Sequence, residues 1–361
     1  MATIAEVKSD YFRIPLPVPL SDSTHGFMPD FELVTIRIRD ADSAEGVGYT
    51  YTAGRNGRSV QAAASEIAEL AEGKDADLAE ALWNSTWWAM HYGGRGGPTV
   101  LALSAFDMAI WDLKAKRANL PLWRMLGGFD PKVPVYAGGV DLEFPLEQLL
   151  RQAESFLEKG FRAIKMKVGR KNLTEDVARV AAMRKMLGDS FPLMVDANMK
   201  WTVDEAIRAA RALTPFNPVW LEEPTIPDDI AGHARIAREG GLPIATGENM
   251  RTIWEFQQMI TVGCVTFPEP DVTNCGGITP FMKIAHLAEA HNLPVTTHGA
   301  HDVTVHLLAA VPNRSYLEAH GFGLEKYIAD PLKIQEGFAI APETSGHGIE
   351  FDWKKLKALG T

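Results

Sequence analysis

The chain is short of several things that would otherwise direct its reading. Only two of its 361 residues are cysteine, Cys264 and Cys275. That excludes a disulfide framework and leads us to expect a reducing cytoplasm. No stretch of about 18 apolar residues occurs, so no transmembrane helix and no membrane partner is expected. The opening MATIAEVKSDYFRIPLPVPL contains charges and three prolines where a secretory signal would have a basic start and an apolar run. Basic residues are outnumbered, 36 Lys and Arg against 46 Asp and Glu. A net charge of −10 argues against a nucleic-acid face but not against a local positive site for a small anion. No low-complexity segment or long charge run is present. No GxGxxG follows the first strand of the strand–helix region, so a dinucleotide site has no support.

What is present is an ordinary globular composition, 46% hydrophobic and 23% charged, in a chain long enough for two domains or one elaborated barrel. Residues 1–128 read as α+β. FELVTIRIRD (31–40) alternates as a strand and GVGYTYT (46–52) as its hairpin partner. An Ala- and Glu-rich helical stretch runs from Ser59 to about Leu82. A later helix repeats Leu103, Phe106, Ile110 and Leu113 on one face, and Gly127 and Gly128 close the region.

From 129 to 330 the pattern changes. VPVYAG, FRAIKMKVG, PLMVDAN, PVWLEEP, LPIATGEN, VTFPEPDVT, LPVTTHG and RSYLEAH are short strand-type runs with helical segments between most of them. Thr202 with Glu205 and Thr252 with Glu255 form capping boxes, and Thr279 before Pro280 reads as a cap with proline at the first helical position. Eight such strands over about 190 residues predict a closed parallel β/α barrel, with an open doubly wound sheet as the competitor. Residues 331–361 have Gly and Pro breaks and are expected to return to the N-terminal region.

Barrel enzymes carry their chemistry at the C-terminal ends of the strands. Here those ends hold Lys165 and Lys167, Asp196 and Asn198, Glu222 and Glu223, Glu248 and Asn249, Asp271, His298, and Glu318. One strand-end acid is as readily an ion-paired surface residue. Asp196, Glu222 and Glu248 on three successive strands instead form a set of hard oxygen ligands suited to Mg²⁺. Of the 222/223 pair only one points inward. Lys165 and Lys167 share a strand face and repel each other, which is expected to lower at least one pKa and make a general base. Asp271 beside His298 fixes an imidazole tautomer. His301 and His306 lie close in sequence, and His306, in a helical run with Val305, Leu307 and Leu308, reads as structural. A metal, a lysine pair and an Asp–His dyad together point to abstraction of a proton α to a carboxylate.

Seven motifs carry a resemblance. KMK (165–167), VDAN (195–198), WLEEP (220–224), TGEN (246–249), EPD with GGIT (269–279), THG (297–299) and YLE (316–318) stand in one order along the chain. In these the sequence resembles the enolase superfamily, mandelate racemase subgroup, over essentially its whole length. The resemblance implies a (β/α)7β TIM-like barrel with an α+β capping domain, and one Mg²⁺ on Asp196, Glu222 and Glu248. It implies Lys167 as the base on one substrate face and Lys165 as support for the carboxylate. His298 with Asp271 serves the other face, and Glu318 bonds the carboxylate. It also implies a homo-oligomer. Glu269 departs from the family pattern: it stands behind the metal ligands, contacts substrate, or makes an ion pair outside the barrel mouth.

The segments SDSTHGFMPDF (21–31) and TYTAGRNGRSV (50–60) read as a polar lid. His25, Arg55 and Arg58, then His91 and Arg95, are candidates to bind hydroxyls or a second carboxylate, with Asn198 at the barrel side. YTYT, RGG, AIWDLKAKRANLPLW and LEEPxxPDD are similar to acid-sugar members of the subgroup. The favoured reaction is dehydration of an aldonic or aldaric acid to a 2-keto-3-deoxy acid. Racemisation, epimerisation or cycloisomerisation of a related hydroxy acid is the alternative. A non-catalytic relative would be expected to lack a base or a metal ligand, and none is missing.

Overall fold

A computed structural model describes residues 2–320 and 322–359. The N-terminal part is a three-stranded antiparallel sheet in the order β1 (Ile4–Asp22), β2 (Gly26–Asp40), β3 (Glu45–Thr52). Alternation along β2 divides its side chains between two cores. Phe31 and Leu33 face the barrel, and Val34, Ile36 and Ile38 face helices. Those helices are α1 (Gly57–Ala71), α2 (Ala79–Met90) and α3 (Pro98–Arg117). The Ala- and Glu-rich stretch is therefore two helices, interrupted where Gly73 adopts a φ of +77°. Pro98 opens α3. Gly46 and Gly48 of β3 allow α3 to lie directly on the sheet: a Cβ at Gly48 would fall 2.0 Å from the Ala105 carbonyl oxygen.

After the short α4 (Leu122–Met125) the barrel begins. Its parallel strands are β4 (Lys132–Gly138), β5 (Ile164–Lys167), β6 (Leu193–Asp196), β7 (Leu221–Glu222), β8 (Ile244–Thr246) and β9 (Phe267–Pro268), each paired with the next. Between them run α5 (Leu146–Glu158), α6 (Leu173–Leu187), α7 (Val203–Leu213), α8 (Ile230–Gly240) and α9 (Ile253–Val262), with α10 (Ile278–Ala290) and α11 (His301–Leu308) after β9. The seventh stave, LPVTTHG, is not a regular strand. Thr296 N–H donates to the Pro268 carbonyl at 3.0 Å, and Val295 bridges Arg314. β10 (Leu317–Ala319) then pairs in parallel with β4, with Leu317 opposite Val135. That pairing closes the sheet and removes the open-sheet alternative.

The capping boxes form. Glu205 accepts the Thr202 N–H at 3.0 Å, and Glu255 accepts the Thr252 N–H at 2.7 Å. Thr279 differs from expectation. Gly277 precedes the first residue of α10, and the Thr279 N–H and hydroxyl both donate to Asp107 of α3 at 2.7 Å. A carboxylate from the capping region thus satisfies a donor that the helix end leaves unpaired.

The tail contributes β11 (Ile334–Gln335), β12 (Phe338–Ile340) and α12 (Trp353–Lys357). β12 pairs antiparallel with the start of β4. Beyond it, His347 N–H donates to Asp112 at 3.0 Å, and Arg37 lies 4.4 Å over the Trp353 ring. These contacts bind the tail to the N-terminal layer as well as to the barrel. Cys264 and Cys275 are buried free thiols. Among the described residues no helix is long and apolar enough to cross a membrane.

Candidate active site

The barrel interior follows a period of two along each strand. Tyr136, Ala163, Met194, Trp220 and Ala245 pack together as one inner layer, with Phe267 and Tyr316 against it. Two residues further along these strands come Lys165, Asp196, Glu222, Glu269 and Glu318. This parity places Glu222 inside and removes Glu223 from the cluster. Glu223 sits at a φ of +39° and accepts from Asn249 Nδ2 at 2.9 Å.

Asp196, Glu222 and Glu248 each bring a carboxylate oxygen within 4.8 Å of the others. Asp196 Oδ1 accepts the Asn198 N–H at 2.8 Å, and Glu222 Oε2 accepts the Trp220 indole N–H at 2.8 Å. Glu248 Oε2 has no hydrogen-bond partner although it is buried. Its nearest cationic group is His298 Nε2 at 3.3 Å, without a formed hydrogen bond, so it remains open to a further partner. Three convergent carboxylates, one with a free lone pair, fit a hard divalent cation.

The lysines compensate this charge. Lys165 Nζ bonds Glu222 Oε1 and lies 2.8 Å from Glu318 Oε1, while Lys167 Nζ bonds Asp196 Oδ2. Both lysine pKa values are raised, not lowered. Burial opposes the charge, but the facing carboxylates outweigh it and also outweigh the effect of Lys165 on Lys167. With these acids facing the pair, their charge outweighs the mutual repulsion of the two lysines.

On the far side of the mouth, His298 Nδ1 is 2.7 Å from Asp271 Oδ2. Asp271 Oδ1 accepts the Thr273 N–H at 2.7 Å and the Thr273 hydroxyl at 2.6 Å. The Tyr51 hydroxyl, from the capping sheet, donates to Oδ2 at 2.9 Å. Asp271 thus holds the Nδ1–H and turns Nε2 inward, 3.3 Å from Glu248 Oε2. Burial resists protonation of His298, but Glu248, Glu318 and Asp271 together push it up to about 10. Glu318 Oε2 accepts the Gly299 N–H at 3.1 Å.

Glu269 is fully buried inside the barrel, which excludes an ion pair outside the mouth. The Tyr136 hydroxyl donates to its Oε1 at 3.2 Å, and burial pushes its carboxyl up to about 8.

A cavity of about 370 Å³ lies over these groups. His25, Arg55 and Asn198 line it, with Lys167, Glu248, His298 and Glu318 at its floor. Arg95 does not line it: it is exposed in the turn before α3, and only the neighbouring Gly97 and Pro98 reach the cavity. His91 is turned away by its bond to the Trp88 carbonyl at 2.8 Å, and Arg58 stacks 4.9 Å over Tyr11. The lid is also less polar than expected, because Leu16, Leu20, Met28 and Phe31 face the cavity. Tyr51 and His320 were missed. His320 follows the parity of Tyr316 and Glu318, which was the available signal. Tyr51 is brought in by tertiary structure alone. His301 opens α11 with Nε2 3.6 Å from Asp302. His306 is structural, accepting the Trp123 N–H at 3.3 Å and bonding the His347 carbonyl at 3.1 Å.

Residues 5–127 match the mandelate racemase / muconate lactonizing enzyme N-terminal domain family, and residues 148–355 the enolase C-terminal domain-like family. The chain is 57% identical over 357 residues to the 3,6-anhydro-alpha-L-galactonate cycloisomerase of Streptomyces coelicolor, covering 99% of each. It is 39% identical over 349 residues to the L-talarate/galactarate dehydratase of Salmonella typhimurium, covering 95% of this chain and 87% of that one. A solved structure of a racemase from Streptomyces coelicolor A3(2) with bound magnesium superposes with a TM-score of 0.97 at 56% identity, over 99% of both chains. The architecture, the order of the strand-end motifs and both domain matches agree: the chain belongs to the enolase superfamily, in its mandelate racemase subgroup.

Proposed function

We propose that this protein is a Mg²⁺-dependent cycloisomerase of an anhydro acid sugar of the 3,6-anhydro-L-galactonate type. The observation that carries the chemistry is the placement of Lys167 on β5 across the mouth from the His298–Asp271 dyad, with the acid trio between them. Asp196, Glu222 and Glu248 would hold the ion. Bound there, the ion would supply positive charge that stabilises the enediolate and would offset the carboxylate charge that faces the lysines.

The substrate carboxylate enters beside Lys165 and Glu318. Lys167 Nζ and His298 Nε2 then approach the α-carbon from opposite faces. One removes the α-proton. As the enediolate collapses, the bond from the β-carbon to the ring ether oxygen breaks, and that oxygen takes a proton. The resulting enol tautomerises to a 2-keto-3-deoxy acid. Every atom of the substrate is retained, so the product is its isomer.

The choice of leaving group rests on the 57% identical cycloisomerase. The apolar part of the cavity lining supports it, since an ether ring with a methylene is less polar than an open-chain aldarate. Dehydration uses the same bases and differs only in expelling a β-hydroxyl. The 39% identical dehydratase keeps it as the second reading. The proposal includes a cytoplasmic homo-oligomer.

Mass spectrometry of reactions with Mg²⁺ separates the readings. A keto acid isomeric with 3,6-anhydro-L-galactonate supports cycloisomerisation. No product from it, but a keto acid one water lighter from galactonate or galactarate, replaces cycloisomerisation with dehydration. Inversion at the α-carbon without a keto product from any of these acids indicates a racemase.

A further inference from the structure

His320 stands two residues beyond Glu318 at the end of β10, on the same side of the barrel wall. Its ring is buried, yet neither Nδ1 nor Nε2 has a hydrogen-bond partner. Its nearest carboxylate oxygen, Glu318 Oε2, is 3.8 Å from Nε2, beyond hydrogen-bond range. Two unpaired nitrogens on one buried ring are costly unless something from the cavity meets them. His320 lines that cavity beside His298, whose ring centroid is 5.6 Å away. Burial, with His298, His301 and Lys165 nearby, pushes the His320 imidazole down to about 3. The uncharged ring offers one donor and one acceptor, which suits an ether or hydroxyl oxygen better than a second carboxylate.

The ring is held from behind. Phe322 packs against it at 3.7 Å between centroids, and Phe322 in turn meets Phe31 and Tyr51 at 5.6 Å each. All four line the cavity. One wall of the pocket, built from two capping strands and the segment after β10, is therefore aromatic.

We propose that His320 and Phe322 form the subsite that selects a cyclic acid sugar. The imidazole edge bonds an oxygen of the sugar beyond the α-carbon, and the aromatic wall packs on the C–H face of the ether ring. This rests on the cycloisomerase reading and adds the residues that would distinguish a ring from an open chain.

The test uses the full-length protein with Mg²⁺, with 3,6-anhydro-L-galactonate and open-chain L-galactonate as alternative substrates. His320→Leu, His320→Asn and Phe322→Leu are compared with wild type. His320→Leu is expected to lower kcat/KM for the anhydro acid by at least about tenfold, the scale of a buried hydrogen bond left unmade. His320→Asn, which keeps a donor and an acceptor, should recover part of that loss. Phe322→Leu should raise KM for the anhydro acid and leave Mg²⁺ affinity unchanged, narrowing the preference for the ring. Should His320→Leu fail to fold, as judged by its melting curve, His320→Asn and Phe322→Leu carry the decision. An active wild type whose folded variants all stay within about twofold on the anhydro acid overturns this subsite alone. A wild type inactive on the anhydro acid overturns the cycloisomerase reading and the subsite with it.

Discussion

Asp271→Asn probes the dyad at its most constrained point. The carboxylate receives five hydrogen bonds, two at Oδ1 from Thr273 and three at Oδ2 from His298, Tyr51 and, at 3.5 Å, Asn274 Nδ2. An amide of the same shape keeps the Thr273 pair on its carbonyl oxygen. At the other position it presents N–H donors to His298 Nδ1 and to the Tyr51 hydroxyl, where both had donated. His298 must then accept at Nδ1 and carry its proton on Nε2, the atom 3.3 Å from Glu248 that faces the cavity. That tautomer cannot accept a proton there. Loss of a general acid or base costs about 10²- to 10⁴-fold in rate, or about 3–5 kcal/mol in activation free energy. Steady-state kcat on the anhydro acid at saturating Mg²⁺ measures it, with a melting curve to show that the fold persists. Tyr51→Phe is the control: it removes one of the five bonds but leaves the His298–Asp271 bond, and should cost no more than about tenfold, near the roughly 1 kcal/mol of a single hydrogen bond. A folded Asp271→Asn enzyme within tenfold of wild type would refute the assigned role of the dyad.

Lys167→Ala and His298→Asn should each reduce turnover by at least about a hundredfold. A near-normal rate in either removes that residue from the mechanism. Glu222→Gln should weaken Mg²⁺ binding by at least about tenfold in titration calorimetry, and unchanged affinity would exclude it as a ligand. His306 gives a pH prediction away from the site. Burial, reinforced by His347, pushes its imidazole from 6.5 down to about 3. A histidine depressed on folding contributes its stability in full above the unfolded value, and that stability is lost as pH falls through the window from about 6.5 toward 3. The loss is at most on the order of 5 kcal/mol. The melting temperature should therefore fall across this window, and His306→Gln should take up about one proton fewer on unfolding. An identical slope in the variant would contradict it.

The strand-end acids were legible because a parallel barrel converts sequence order into a ring, and a period of two decides which side each residue faces. The helix starts at Thr202 and Thr252 were legible because a capping box is local. What was hidden depended on distant partners. β1 carries no strand signal of its own, with Pro15, Pro17 and Pro19 in it; it is an edge strand with a register shift between Pro15 and Leu20, where missing N–H groups are tolerated. The start of α10 was misplaced because Asp107, far off in sequence, satisfies Thr279. Parity with Phe267 puts Glu269 inside the barrel, a signal the sequence carries. The lid looked polar because its aromatic wall is assembled from Phe31, Tyr51 and Phe322, which no single segment contains. The repulsion between the lysines is visible in their spacing, but the distances at which the acids outweigh it are set by the barrel.

The central claim is that one proton is removed α to a carboxylate and that an enol follows from loss of the β ether oxygen. Its most direct test is proton NMR of the product formed from 3,6-anhydro-L-galactonate in D₂O with Mg²⁺. The account predicts a 2-keto-3-deoxy acid isomeric with the substrate apart from solvent deuterium at the carbon that was β to the carboxylate, and no product once a chelator removes the metal. A product without deuterium at that carbon, or one formed equally well without Mg²⁺, would contradict it.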